Sequence, residues 1–152
     1  MNTQSGRSLI EVIGVLAITG FMTAAALGAY RIIQTNQTRS IADAQLQQIA
    51  QDIKILMEMR GSYQGISIDY LIKAGALQSD KQPIGGPEWS ITPSFDGKDF
   101  MINLVNLTNG ECKYFSSSKP SWATTVIVNG FETGYTDNCF ESDTNQISFV
   151  AH

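Results

Sequence analysis

The ionisable side chain with the clearest chemical role is Glu11, because it lies within an apolar run. From Leu9 to Tyr30 there are 22 residues, and Glu11 carries the only charge among them. A helix of that length spans roughly 33 Å, which is enough to cross the hydrocarbon core of a bilayer. A carboxylate costs about 2.5–3.5 kcal/mol at the bilayer centre and less near its edge. We therefore expect a partner for Glu11: the lipid headgroups, Arg7 four residues earlier on the same helix, or a cation on another chain.

Cys112 and Cys139 are the only cysteines of the chain. In an exported domain we expect them to form a disulfide, which would close a loop of roughly 27 residues and add about 2–4 kcal/mol of stability. In a cytosolic protein the same pair would be two free buried thiols. With His152 as the single histidine, they cannot form a zinc site alone.

Three acidic residues, Asp137, Glu141 and Asp143, surround Cys139. Such a group can bind calcium together with backbone carbonyls, but the spacing does not match an EF-hand loop. We interpret the segment as a solvated acidic loop.

The sequence offers no convincing catalytic site. The serines at 116–118 have no nearby base, and Gly85-Gly86 lacks the Lys-Ser/Thr that follows in a phosphate-binding loop. The net charge is −4 and the 10 basic residues are scattered, which argues against a nucleic-acid surface. We predict no enzymatic activity, no metal and no cofactor.

One long helix must position Glu11. The sequence from Ser8 to Met59 contains no proline, and after the apolar first half its apolar residues recur at helical steps of four and three. These residues are Ala42, Leu46, Ile49, Ile53 and Leu56. The pattern predicts a helix of about 50 residues, apolar on all sides in its first half and amphipathic in its second.

The remainder predicts a small β-rich domain. Ser67 to Leu77 is typical of a short helix with Ser67 as its N-cap. Asn109-Gly110 and Asn129-Gly130 predict tight turns. The strand-like segments are Phe100–Leu107, Cys112–Ser116, Thr124–Val128 and Ile147–Ala151. We expect an α+β fold in which the amphipathic half of the long helix packs on an antiparallel sheet of about four strands.

The N-terminal pattern resembles the class III signal of type IV prepilins. A glycine, Gly6, precedes Arg7; Glu11 follows five residues after the glycine, and a long apolar helix continues from there. The leader lacks the usual Lys or Arg. The non-Phe residue at Arg7 and the later cysteine pair favour the type IVb branch. The resemblance implies residues 1–6 as leader, 7–30 as transmembrane and filament-core helix, 31–60 as its amphipathic half, and 61–152 as the globular head.

The resemblance also implies a function and partners. A prepilin peptidase would cut after Gly6 and methylate the new amine of Arg7. An inner-membrane assembly platform with its ATPase, and minor pilins, would take the subunit from the inner membrane into a surface filament built of copies of itself. Glu11 would then neutralise the Arg7 amine of a neighbouring subunit. Such filaments serve adhesion, aggregation, motility or DNA transfer.

Three glycines, Gly14, Gly20 and Gly28, each weaken the first half of the helix by about 1 kcal/mol relative to alanine. They fit close helix packing in a membrane. The resemblance implies, in addition, local melting between Gly20 and Gly28 within a filament. Two other functions stay open: a pseudopilin of a type II secretion system, and a periplasmic binding module or enzyme on an uncleaved membrane anchor. The aromatic residues Trp89, Phe95, Tyr114 and Trp122 are expected in the core or between subunits.

Overall fold

The structure is a computed structural model that describes residues 4–85, 88–132 and 138–152, with side chains from Leu9 onward. Helix α1 covers Gln4–Glu58 without interruption. The chain divides into two compact units, with the boundary between Thr38 and Arg39. Each unit is described by itself.

The first unit is the apolar part of α1. Its large apolar side chains from Leu9 onward are exposed, from 52% at Val12 to 77% at Phe21. By length and composition this helix can cross a membrane, and none of its apolar window is buried. An apolar helix without a cover is stable only in lipid or against other apolar surfaces.

The second unit begins with the amphipathic part of α1. Of the predicted stripe, Ala42, Leu46, Ile49 and Ile53 are buried and Leu56 is partly buried. Met57, which was not predicted, is also buried. The helix ends at Glu58, and Gly61 follows with a φ of 68°, a left-handed conformation that glycine adopts without strain. Helix α2, Ile68–Lys73, starts as predicted: the Ser67 hydroxyl accepts a hydrogen bond from the Tyr70 backbone N–H at 3.1 Å.

Five antiparallel strands form the sheet within the described residues. They are β1 (Ser90–Pro93), β2 (Phe100–Leu107), β3 (Thr125–Val128), β4 (Phe131–Glu132) and β5 (Asn145–Ala151). The spatial order is β1-β2-β5-β3-β4, so the last strand of the chain lies in the middle of the sheet. In β5 alternate residues are buried, and they pack with the stripe of α1 in one core. The fold is α+β, as the sequence predicted.

Two sequence predictions are wrong. Asn109-Gly110 is no hairpin turn and Cys112–Ser116 is no strand, because both belong to helix α3, Asn109–Ser117. The cause is a capping box: the Glu111 N–H donates to the Thr108 hydroxyl, and the Thr108 N–H donates to the Glu111 carboxylate, each at 3.2 Å. The two short strands β1 and β4 were not predicted. With these two added and the Cys112–Ser116 strand absent, the described sheet has five strands and not four.

The turn at Asn129-Gly130 is confirmed. It joins β3 to β4, with φ angles of 50° at Asn129 and 87° at Gly130. Two consecutive left-handed residues match the twist of a tight hairpin, which explains the Asn-Gly pair.

Candidate functional site

Glu11 lies on the exposed surface of the apolar helix. Among the described side chains, none forms an ion pair with it. Gly6 and Arg7 belong to helix α1, but the side chain of Arg7 lies outside the described residues, so an ion pair between Arg7 and Glu11 stays a prediction. A carboxylate placed among exposed apolar side chains is suited to a partner from outside the unit.

The three glycines of the apolar helix have no packing role inside the unit. A Cβ atom added at Gly14, Gly20 or Gly28 would meet nothing within 4 Å among the described atoms. The helix is continuous through all three. Any requirement for glycine must therefore come from packing against other molecules or from a change in the helix itself. The Thr23 hydroxyl is satisfied within the helix, donating to the Thr19 carbonyl at 2.7 Å.

A disulfide joins Cys112 of α3 to Cys139, with Cα atoms 5.8 Å apart. Cys112 is fully buried. The bridge ties α3 to the segment that precedes β5, and the loop it closes contains β3 and β4. The bridge therefore holds the acidic loop around Cys139 next to helix α3.

Asn145 forms hydrogen bonds to the loop that follows Cys139, and it was not predicted from the sequence. It is the fully buried polar residue at the start of β5. Its amide nitrogen lies within hydrogen-bond distance of three carbonyl oxygens, those of Leu107 (3.2 Å), Phe140 (3.0 Å) and Ser142 (2.8 Å), which share its two N–H groups. Its carbonyl oxygen accepts from the Phe140 N–H at 2.6 Å and from the Asn129 amide at 3.0 Å. A single side chain therefore connects β2, β5, the hairpin turn and the loop after Cys139.

Two further asparagines strengthen this cluster. The Asn129 amide also donates to the Asn138 carbonyl at 2.7 Å, and the Asn109 amide donates to the Phe140 carbonyl at 2.9 Å. A signal for Asn145 was present in the sequence, since Asn145, Ile147, Phe149 and Ala151 share one face of a strand. A polar residue on an apolar strand face must find hydrogen-bond partners.

The acidic loop forms a shallow recess with the start of α3. Glu141 and Asp143 line it beside Thr108, Asn109 and Gly110. Asp137 lies outside the described residues. Within the described part of the chain, no three acidic, His or Cys residues are grouped so as to hold a metal ion.

The four aromatic residues singled out in the sequence differ in their exposure to solvent. Trp89 and Trp122 are buried; the Trp89 indole donates to the Asp80 carbonyl at 2.6 Å, and Trp122 packs on Phe149. Tyr114 lies under the Arg39 guanidinium at 5.7 Å. Phe95 is completely exposed, at 105% of its reference area.

Two titratable groups outside the apolar helix have altered pKa values. Burial raises the pKa of Tyr63, and the negative charges of Asp99 and Glu58 add to the effect. A hydrogen bond from the Ser94 hydroxyl, followed by one from the Lys98 N–H, lowers the pKa of the exposed Asp96. His152 Nδ1 lies 3.0 Å from Asp99 Oδ1, at the surface.

The sequence matches no protein-family model, and it matches no curated protein. Its structure does match a solved one. The fold is that of a type IV pilin. One similar structure is that of TcpA, a type IV pilin from Vibrio cholerae El Tor biotype, with a TM-score of 0.60 and 14% sequence identity over 76% of this chain and 99% of that one.

The disulfide yields a prediction for the stability of the head. We expect the double variant Cys112→Ser, Cys139→Ser to lose about 3 kcal/mol of unfolding free energy, because the unfolded chain gains the freedom that the bridge removes. Urea unfolding of the full chain in detergent, followed by Trp89 and Trp122 fluorescence, measures the loss. Ser116→Ala, which removes only a hydroxyl 3.8 Å from the Cys139 sulfur, is the control and should be nearly neutral. An unchanged midpoint in the double variant would contradict the prediction.

Proposed function

We propose that this protein is the structural subunit of a type IV pilus, a helical surface filament, and catalyses no reaction. The observation that carries the proposal is the continuity of one helix from an exposed apolar segment into a folded head with the pilin fold. The exposed segment requires lipid before assembly and neighbouring apolar helices after it. The core of a filament provides such apolar helices, so the segment stays in an apolar environment when it leaves the lipid.

The chain would enter the inner membrane with its N-terminus in the cytoplasm and its head in the periplasm. The Cys112–Cys139 bridge supports this, because structural disulfides persist in the periplasm and are rare in the cytosol. A prepilin peptidase would remove residues 1–6 and methylate Arg7. Residues 7–30 then form the filament core, 31–60 connect it to the head, and 61–152 form the outer surface. Assembly would need a platform protein, its ATPase and minor pilins.

Glu11 would act during assembly. The new amine at Arg7 is positive and close to the membrane, and Glu11 is negative within it. An unpaired carboxylate is unfavourable in lipid, and a docked neighbour neutralises it. Subunits that dock in the correct register are therefore favoured over those that do not. Melting of α1 between Gly20 and Gly28 would let the helix adapt to its neighbours in the filament.

Mass spectrometry on material sheared from the cell surface tests the function. We expect polymerised protein that starts at N-methylated Arg7 and is two hydrogens lighter than the reduced chain. Processed protein that stays in the inner membrane would point instead to a pseudopilin of a type II secretion system. A chain that retains residues 1–6 would overturn the proposal in favour of a tethered periplasmic module.

A further inference from the structure

The charged residues of α1 repeat one spacing. The helix contains four basic and four acidic side chains. At three places a basic residue is followed four positions later by an acidic one: Arg7 and Glu11, Arg39 and Asp43, Lys54 and Glu58. No other separation between a basic and an acidic residue of α1 occurs twice. Each of the three pairs lies within one of the two units.

The order of these charges does not favour ion pairs within their own helix. Opposite charges four positions apart stabilise a helix more when the acidic residue comes first, and here the basic residue comes first each time. Among the described residues, Arg39 forms no ion pair with Asp43 or with any other acid, and Lys54 forms none with Glu58. These charges are therefore available to a partner outside the chain.

The guanidinium of Arg39 is held in place by its own head. It lies 5.7 Å from the centre of the Tyr114 ring, and its Nη2 is so close to Gly110 that a Cβ atom there would be 2.7 Å away. The Nε atom is buried and donates to no acceptor among the described residues. A cation in this position has lost part of its hydration without gaining an anion, so a carboxylate from another molecule would stabilise it.

Asp43 lies one helical turn further along α1 and is half-buried, as Arg39 is. Both side chains project from a regular helix that packs on the sheet, so the fold fixes their positions. Glu58, in contrast, is exposed, and exposed ion pairs contribute little or nothing measurable. Among the two pairs of the head, the larger effect is therefore expected at Arg39 and Asp43.

We propose that Arg39 of one copy of this chain forms an ion pair with Asp43 of a neighbouring copy in the filament. The inference rests on the proposed function, in which the Arg7 amine of one copy meets Glu11 of its neighbour. All copies in a helical filament are related by one displacement. A displacement of four residues along a helix, about 6 Å, brings the Arg7 amine level with Glu11 of the neighbour and also brings Arg39 level with Asp43 of that neighbour.

The second ion pair makes the register more specific. A neighbour displaced by one further helical turn would place Arg39 level with Gln47 and the Arg7 amine level with Val15, so both cations would lack a partner. A neighbour without displacement would place Arg39 level with its own counterpart, which has the same charge. Two ion pairs, one in each unit, therefore favour the same register and disfavour the alternatives.

Production of two charge variants in one cell tests the contact. Asp43→Lys makes positions 39 and 43 both basic, and Arg39→Glu makes both acidic. Each variant alone brings like charges together at every contact, so we expect at least about tenfold less sheared filament. In a mixture of the two full-length chains, alternating copies place a basic position against an acidic one at every contact. The mixture should therefore recover filaments that contain both chains, identified by mass spectrometry.

This rescue distinguishes a contact between copies from a contact within one helix. Repulsion between positions 39 and 43 of the same chain would persist in the mixture. Loss of filaments in both variants without rescue would therefore overturn the inference, and so would wild-type yield from either variant alone. Both results leave the pilus function standing. Absence of filaments from wild-type cells would overturn the function and with it the contact.

Two controls keep the net charge the same as in the variants. Glu88→Lys and Lys119→Glu change the charge by the same amounts at exposed positions outside α1, and they should leave the filament yield unchanged. Equal loss in these controls would overturn the inference.

The urea midpoint of the head, followed by the fluorescence of Trp89 and Trp122, shows which variants stay folded. If Arg39→Glu lowers the midpoint, Arg39→Gln takes its place in the mixture, because it also removes the repulsion from the basic position 43 of the other chain. The measured quantity is then the amount of the Asp43→Lys chain in sheared filaments, which should rise when the Arg39→Gln chain is present. An unchanged amount would overturn the inference.

Discussion

Replacement of Glu11 by Ala or Gln is expected to abolish surface filaments while the head stays folded. If Glu11 neutralises the Arg7 amine of a neighbour, its loss leaves one buried cation unpaired in each subunit. Breaking a buried pair in this way costs about 3–5 kcal/mol, and each 1.4 kcal/mol is about tenfold in an equilibrium. We therefore expect at least roughly a hundredfold less protein in the sheared fraction, measured against the total by immunoblot.

Controls distinguish assembly from folding. Glu58→Gln removes an exposed acid from the other end of α1 and should leave the filament yield unchanged. Glu11→Asp keeps the charge on a shorter side chain and should restore part of the yield. The urea midpoint of the head, followed by tryptophan fluorescence, should be the same in all variants. Wild-type filament yield from Glu11→Gln would rule out the charge pair.

The second large effect is expected at Asn145. Asn145→Ala removes this partner from the carbonyls of Leu107 and Ser142 and from the Phe140 N–H, while the Phe140 carbonyl keeps the Asn109 amide. A buried polar group without a partner costs about 1–3 kcal/mol. Because several are affected, we expect the head to lose about 3 kcal/mol or more of unfolding free energy, measured by urea unfolding of the full chain in detergent.

Asn145→Asp sharpens this test. Its ionised carboxylate would face three carbonyl oxygens, so at neutral pH it should be less stable than Asn145→Ala. The folded-state pKa of that carboxyl would be raised, so the penalty should shrink as pH falls and the acid becomes protonated. Asn109→Ala, which removes one hydrogen bond at 2.9 Å to the same loop, is the matched control and should lose about 1 kcal/mol. Equal stability of wild type and Asn145→Ala would refute the role of the cluster.

The sequence by itself determined the elements whose pattern is periodic or whose turn residues are unambiguous. The stripe from Ala42 to Ile53 predicted the buried face of α1, because residues three or four apart lie on the same face of a helix. The alternation in β2 and the end of β5, and the Asn129-Gly130 turn, follow from equally local rules. Glu11 was identifiable because a charge inside an apolar run is rare whatever the fold.

Where two local sequence patterns favour different structures for the same residues, only the tertiary structure showed which one forms. Asn109-Gly110 has the composition of a hairpin turn, yet the Thr108–Glu111 capping box starts a helix there. Both signals are short-range, and burial of Cys112 and Phe115 against the sheet selects the helix. The same burial brings Cys112 within bonding distance of Cys139.

Contacts between distant parts of the chain were also beyond the sequence. The partners of Asn145 come from β2, from the hairpin turn and from the loop after Cys139, up to 38 residues away. The turn that presents Phe95 is held by residues 62–64, about 30 positions earlier. Periodicity fixes which face of an element is apolar, but only the packed chain decides which polar groups meet and which apolar groups remain exposed.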